Sequence, residues 1–398
     1  MPLPTDLPTG AQALLIALAT PSPQGPLGIP VLLWGRPGVG KSSFIEGLAT
    51  EQLRVTTLIA SIHDPTDFSG LPVLEGGRVR YAIPEWVEAF GDDEDGILFL
   101  DELSTAPPSV QAALLRVVFE RRVGFRELPE RVRIVAAANP PDLMIGGWEL
   151  SPPLRNRFVH LNWAIPESLY IRSLTEGWNK GELPEIDRND HRNRLPAWKV
   201  KIAGFLRLSR TALHSDPEEN PYGFASPRTW DFAAALLASC DVLGYRPGSE
   251  DITAQTVLLE LMAGCLGEAT ALPFLEYLNR LRIPDPEDIL SKQEGIDLND
   301  LDDSELYVLF YSLNNRLIAA FDRPPFLDYS LVYLSLVDKV FELGRRDVIF
   351  VSLRDLARAG WVSRLAATDD DAGRGQAMEE IAKLFSDVTF KEFVDVLA

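Results

Sequence analysis

Gly35-Arg36-Pro37-Gly38-Val39-Gly40-Lys41-Ser42 decides the fold of this chain. The eight residues fit G-x-x-x-x-G-K-[ST] without a substitution. Before them lies a short apolar run, Ile29-Pro30-Val31-Leu32-Leu33-Trp34, which reads as a buried parallel strand. After them Phe44, Ile45 and Leu48 fall at helical spacing. Strand, glycine-rich turn and helix in that order form a phosphate-binding loop. The glycines let the backbone wrap closely around phosphates, with several N–H groups pointing inward. The helix that follows adds the positive end of its dipole. Lys41 is expected to reach the β- and γ-phosphates, and the Ser42 hydroxyl to bind Mg²⁺. Nucleotide contacts are expected from Gly35 through Ser43.

Working outward, the 398 residues are enough for two or three domains at roughly 100–200 residues each. A composition that is 46% hydrophobic and 24% charged is that of a globular protein with a sizeable core. The net charge of −20 repels nucleic acid and acidic membranes, so bulk electrostatic binding to either is not expected. Cys240 and Cys265 sit in apolar helical surroundings and read as buried free thiols in a reducing cytoplasm. The N-terminus has no basic n-region, and the apolar stretch Ala11 to Ala19 is short and contains Gln12. Neither a signal peptide nor a membrane span is expected. The four histidines have no metal-ligand spacing.

From residue 29 to about 163, strand-like and helix-like runs alternate. The expected strands are 30–34, 55–60, 97–101, 132–137 and 158–162, a parallel sheet covered by helices. Beyond about 165 the pattern is mostly helical, punctuated near Ser215-Asp216-Pro217 and Ile283-Pro284-Asp285-Pro286.

Two further strand ends carry chemistry. Gly96-Ile97-Leu98-Phe99-Leu100-Asp101-Glu102-Leu103 is an apolar run ending in two carboxylates, 60 residues after Lys41. Open α/β sheets bind ligands at such carboxyl ends. Asp101 is expected to hold Mg²⁺ opposite Ser42, and Glu102 to orient and polarise the attacking water. Alone, the pair would also suit a strand end that caps the next helix. Arg133-Ile134-Val135-Ala136-Ala137-Ala138-Asn139-Pro140 is a second buried run. Its terminal amide, Asn139, can hydrogen-bond both a γ-phosphate oxygen and the lytic water, although an Asn-Pro step in isolation is a plain turn.

This ordered set resembles the AAA+ ATPases, and within them the MoxR group, over roughly residues 10–290. Asp64-Pro65-Thr66-Asp67-Phe68-Ser69-Gly70 is similar to that group's D-x-x-D-hydrophobic-x-G segment. Leu71 to Ala82, turning at Glu75-Gly76-Gly77-Arg78, is similar to the β-hairpin these proteins insert into the second helix. Glu120-Arg121-Arg122-Val123, then Leu128-Pro129, resembles the stretch before sensor 1. Leu154-Arg155-Asn156-Arg157-Phe158 resembles the L-x-D-R-F arginine-finger motif, with Asn156 in place of Asp and Arg155 as a second candidate. Ser226-Pro227-Arg228-Thr229-Trp230 resembles the start of the lid helix that carries sensor 2.

The resemblance implies a P-loop AAA+ α/β fold: a parallel sheet with helices on both faces, then a helical lid and an extra C-terminal helical region. The implied boundaries are 1–164, 165–290 and 291–398. It implies ATP and Mg²⁺ as cofactors and ATP hydrolysis in a ring, most simply a hexamer, in the cytoplasm. Glu102 and Asn139 would act in the subunit's own site, Arg157 would be donated to a neighbour, and Arg228 would contact the γ-phosphate from the lid. It further implies a chaperone-like remodelling motor acting on protein clients, with von Willebrand factor A domain proteins as partners and client contact from the Val73–Arg80 hairpin. A nucleic-acid-dependent motor or restriction-type subunit is the alternative. Arg121, Arg122, Arg126, Arg131 and Arg133 are expected to line a central pore or meet a neighbour, unless they form only a solvated basic edge. The C-terminal region reads as amphipathic helices, for example 305–321 and 331–343, with Phe310, Tyr311, Tyr333 and Phe341 packed in its core.

Overall fold

The computed structural model describes every residue except 1–2, 4–6, 144–146, 178–180, 282, 293–294, 369 and 387–398. The last stretch of the expected C-terminal region, 387–398, therefore lies outside the described residues. Two compact units are present: Met1–Trp198 with Thr211–Asn279, and Lys199–Arg210 with Arg280–Ala398.

The first unit is built on a five-stranded sheet. Its strands are β1 (Val31–Trp34), β2 (Leu53–Ile59), β5 (Asp95–Asp101), β8 (Val132–Ala138) and β9 (Val159–Asn162), ordered β2-β5-β8-β1-β9. Every pairing is parallel. All seven residues of β8 and all four of β1 are buried, as befits strands covered on both faces. That burial is why they appear in the sequence as unbroken apolar runs. Each of the five expected strands is present, with ends shifted by at most two residues. Two antiparallel hairpins stand apart from the sheet: β3 (Leu71–Glu75) with β4 (Arg78–Ala82), and β6 (Arg122–Val123) with β7 (Arg126–Glu127). The first lies where the resemblance places it. The second was not anticipated.

The helices of this unit are α1 (Thr9–Ala19), α2 (Lys41–Glu46), α3 (Pro65–Ser69), α4 (Glu85–Glu88), α5 (Pro108–Glu120), α6 (Pro152–Arg155), α7 (Glu167–Glu176), α9 (Pro227–Val242), α10 (Ile252–Leu266) and most of α11 (Glu268–Arg280); α8 (Arg188–Leu208) is divided between the units. On α5, Val110, Leu114, Val117 and Val118 are buried and join the core around Phe68, Phe90, Leu98 and Phe158. Helix α10 rides directly on β9. A Cβ on Gly264 would sit 2.3 Å from the His160 carbonyl oxygen, so only glycine permits this approach. Cys240 and Cys265 are buried and unbridged, and burial pushes both thiols well above their usual range.

The second unit holds α12 (Pro286–Leu290), α13 (Asp303–Ala319), α14 (Phe326–Glu342), α15 (Arg346–Arg358), α16 (Trp361–Ala366) and α17 (Asp371–Ser386). Phe310 and Tyr333 meet edge-on at 5.6 Å in its core, so these aromatics pack rather than line a site. Asn314 donates to the Ser352 carbonyl at 2.7 Å and ties α13 to α15. No helix among the described residues is long and apolar enough to cross a membrane.

Candidate nucleotide site

The site forms at the carboxyl ends of three adjacent strands, β5, β8 and β1. A cavity of about 290 Å³ is walled by Pro37–Ser43 from the loop after β1, by Asp101 and Glu102 after β5, and by Ala137–Asn139 at the end of β8. Gly38 and Gly40 have φ values of 79° and 80°, so the loop needs a residue without a Cβ at both places. Gly35 packs against Trp163, where a Cβ would lie 2.8 Å from the carbonyl oxygen. Helix α2 has six residues and follows directly on Gly40 of the loop.

Lys41 is 8% exposed. Its Nζ donates to the Gly35 carbonyl at 2.6 Å and the Arg36 carbonyl at 3.2 Å, and lies 3.5 Å from Asn139 Oδ1. Burial lowers its pKa, and the fields of Asp101 and Glu102 act in the opposite sense. The ammonium is thus held by carbonyl dipoles, with no carboxylate in contact with it among the described residues. Ser42 Oγ donates to Asp101 Oδ2 at 2.6 Å. A hydroxyl and a carboxylate meeting at the mouth of the cavity are hard oxygen donors, so the pair fits a Mg²⁺ ion.

The backbone N–H of Glu102 donates to Asp101 Oδ1 at 2.8 Å, and Glu102 itself takes a left-handed conformation, φ 55°. Such a conformation is uncommon for a residue other than glycine and is typical of over-determined functional positions. Its carboxylate accepts a hydrogen bond from Ser61 Oγ at 3.0 Å, which links it to the short turn after β2. Asn139 is fixed through its backbone N–H, which donates to Ser104 Oγ at 3.2 Å. Nothing in the residue pattern marks Ser61 or Ser104. Neither belongs to a spacing pattern, and only the side-by-side placing of β2, β5 and β8 brings them in.

Arg157 and Arg228 lie outside this cavity and beside each other. Their guanidinium carbons sit 4.3 Å and 5.1 Å from the centre of the Phe119 ring. Arg228 donates to Asn156 Oδ1 at 3.2 Å, and Ser226 Oγ donates to the same oxygen at 3.1 Å. Arg157 donates to the Pro153 carbonyl. Burial lowers the pKa of Arg157, and the neighbouring Arg228 lowers it further. Arg228, expected at the γ-phosphate, is not among the residues that line the cavity; helix α9 starts beside the Arg157 motif, where Asn156 accepts from both Ser226 and Arg228. Asn156 therefore works as an acceptor where the resemblance led one to expect Asp. Arg155, the second finger candidate, is 8% exposed and clamps the chain between the sheet and α9. It donates to the Asn220 carbonyl at 2.6 Å and the Pro217 carbonyl at 2.9 Å.

The basic cluster at 121–133 does not form an open cationic surface. Arg121 donates to the Pro129 and Val132 carbonyls at 2.7 and 2.5 Å, and Arg126 to Asp92 at 2.5 Å. Arg122 pairs with Glu127, while Arg131 and Arg133 share Asp95. What is open is apolar: Leu74 is 78% exposed at the tip of the β3–β4 hairpin, and Phe125 is 77% exposed at the turn of β6–β7. Tyr81 and Phe125 meet edge-on at 5.5 Å, so the two hairpins share one surface.

Comparison with known proteins bears on the same residues. The family model described as an AAA domain of the dynein-related subfamily matches residues 30–158, which contain every cavity-lining residue named above. The Psp operon transcriptional activator of Escherichia coli K12 is 34% identical over 138 residues, covering 32% of this chain and 42% of that protein. Chaperone MoxR1 of Mycobacterium tuberculosis is 31% identical over 146 residues, covering 34% of this chain and 37% of that one. The chain thus spans less than half the length of these relatives. A crystal structure of a candidate ATPase from Cytophaga hutchinsonii aligns with 63% of this chain and 79% of its own, at 18% identity and a TM-score of 0.39. The phosphate loop, the strand-end carboxylates and the Asn139 strand are assembled inside the matched segment, so residues 30–158 are similar to an AAA domain, and the chain resembles AAA+ ATPases of the MoxR type.

Proposed function

We propose that this chain binds and hydrolyses ATP with Mg²⁺ and works in a ring, most simply a hexamer, to remodel a protein client. The observation that carries the ATPase reading is the convergence of Lys41, Ser42, Asp101, Glu102 and Asn139 on one cavity. Lys41 binds the β- and γ-phosphates, for which its carbonyl-held ammonium is already placed. Ser42 and Asp101 would hold Mg²⁺, which when bound would neutralise phosphate charge. Glu102 accepts the proton of the lytic water, and Asn139 orients that water against the phosphate. Arg157 and Arg228 are supplied to the site of the adjoining subunit, since both lie outside their own cavity. Two guanidiniums backed by one aromatic ring, and unpaired with any carboxylate among the described residues, are suited to receive a polyanion. The exposed apolar hairpins, Leu71–Ala82 and the turn at Phe125, are the surface for the client. A protein carrying a von Willebrand factor A domain is one such partner.

Glu102→Gln tests the reading, because it should bind ATP yet turn over at least 10²-fold more slowly. Capture on this trapped form with ATP, against the same chain with ADP, should retain protein. Retention of single-stranded DNA instead, with steep salt dependence, would move the assignment to a nucleic-acid motor. Full turnover by Glu102→Gln would remove Glu102 as the base.

A further inference from the structure

Trp34 ends β1 and directly precedes Gly35, whose carbonyl accepts from the Lys41 ammonium at 2.6 Å. Its indole is buried and is not part of the cavity lining, so nucleotide contact does not explain it. The indole N–H donates to His160 Nδ1 at 2.8 Å, with the two ring planes 14° apart. An indole N–H can only donate, so Nδ1 accepts and the imidazole carries its proton on Nε2. That Nε2 donates to the Arg155 carbonyl at 2.9 Å. The same carbonyl accepts from the Phe158 N–H at 3.1 Å, and the Arg157 N–H donates to the Leu154 carbonyl at 3.1 Å. The turn that carries Arg157 is thus fastened to the last residue before the phosphate loop by two consecutive side-chain bonds.

A second arm leaves the same indole. Tyr222 meets it edge-on at 5.3 Å. The Tyr222 N–H donates to Asn220 Oδ1 at 2.9 Å, and the Asn220 carbonyl accepts from Arg155 at 2.6 Å. The loop then runs into Ser226, which caps α9 ahead of Arg228. Trp34 therefore touches both routes to the guanidiniums that meet on Phe119. Trp34 and His160 are buried, and breaking either of their bonds would strand a buried polar atom. In close packing, a displacement of Trp34 is passed to His160 and the Arg155 backbone at less cost than it is absorbed between them. We propose that Trp34, His160 and Tyr222 are positioning residues that tie the two arginines a subunit offers its neighbour to the state of its own phosphate loop. None of the three lines the cavity, so they act through Arg157 and Arg228.

The inference rests on the donation of both arginines proposed above, and the experiment separates the two. It pairs two full chains and reads turnover in one. The receiver is Arg157→Ala, which keeps its own cavity. The tagged donor supplies Arg157 but does not hydrolyse: Glu102→Gln holds ATP in its loop, and Lys41→Ala leaves the loop empty. Assemblies captured by the donor's tag then release phosphate only at receiver sites. With Trp34 intact, receiver kcat should differ at least about fivefold between the two donors, at unchanged KM. Trp34→Phe in the donor keeps a ring and removes the N–H, so the two donors should come within about twofold of each other. His160→Phe in the donor drops both bonds and should do the same, with thermal melts checking that each donor folds. Trp34→Phe in the receiver should leave the difference between donors in place. Intact donors within about twofold of each other, a difference that survives loss of the donor's indole N–H, or one that vanishes with the receiver's, would each overturn the relay and leave these residues as packing. No receiver in the captured assemblies, or no phosphate release with either intact donor, would overturn the donation of Arg157 itself, and the relay with it.

Discussion

His160 offers the sharpest physical test of how the sheet and the arginine motif are joined. It is buried on β9, its Nδ1 accepts from Trp34 Nε1 at 2.8 Å, and its Nε2 bonds the Arg155 carbonyl at 2.9 Å. Both bonds are satisfied only by the neutral ring carrying its proton on Nε2. Burial pushes its pKa down to about 4, with the Arg155 carbonyl bond opposing and the Arg155 charge adding to the fall. The folded pKa lies below the unfolded value of about 6.5, so the unfolded chain binds the extra proton first. The stabilisation is therefore complete above about pH 6.5 and is lost as pH falls toward 4. At about 1.4 kcal/mol per pH unit, the gap corresponds to about 3 kcal/mol. An independent route gives the same scale: a protonated ring would face the Trp34 donor with a second donor, at about 1–3 kcal/mol for the broken buried bond. The assay is urea unfolding followed by tryptophan fluorescence at half-unit steps from pH 7.5 to 4, on the wild-type chain and on His160→Gln. Subtracting the two curves cancels every other titrating group, including His191, whose pKa burial also lowers. The difference should slope by about 1.4 kcal/mol per unit below pH 6 and flatten near pH 4. A difference that stays level across that range would refute the neutral-ring account.

Two further substitutions divide structure from chemistry. Arg155→Ala should destabilise the first unit by about 2–3 kcal/mol, since it strands the Pro217 and Asn220 carbonyls, whereas Arg157→Ala should leave stability within about 1 kcal/mol and cut ATP turnover by roughly 10³-fold or more; thermal melts and steady-state phosphate release would show the assignments reversed if the reasoning is wrong. Gly264→Ala sets helix propensity, which favours alanine by about 1 kcal/mol, against a Cβ 2.3 Å from the His160 carbonyl. Overpacking of about 2–3 kcal/mol should win, and a raised melting temperature would show that α10 can shift off β9.

The nucleotide cavity was readable from residues because its parts are strand ends. Buried parallel strands are mostly apolar, so Val31–Trp34, Asp95–Asp101 and Val132–Ala138 announce themselves, and what ends each run, the glycine loop, Asp101 or Asn139, falls at the site. The long hairpin was readable for a similar reason, as Gly76 and Gly77 mark its turn with φ values of 58° and 76°. The β6–β7 hairpin was not, because two-residue strands have no period. The contact of Arg228 with Asn156 and Phe119 was not legible, because a motif at a helix start fixes that helix's cap and not what it packs against, and Asn156 lies some 70 residues earlier.

The joint seat of Arg157 and Arg228 on Phe119 has a consequence for inheritance of damage. If both arginines serve a neighbouring subunit as proposed, a chain altered at either one would keep a sound cavity of its own. The defect would be expressed one subunit along, in a neighbour whose sequence is intact. A cell carrying one altered and one normal copy would therefore make mixed assemblies in which normal chains fall silent, and the lesion would behave as dominant.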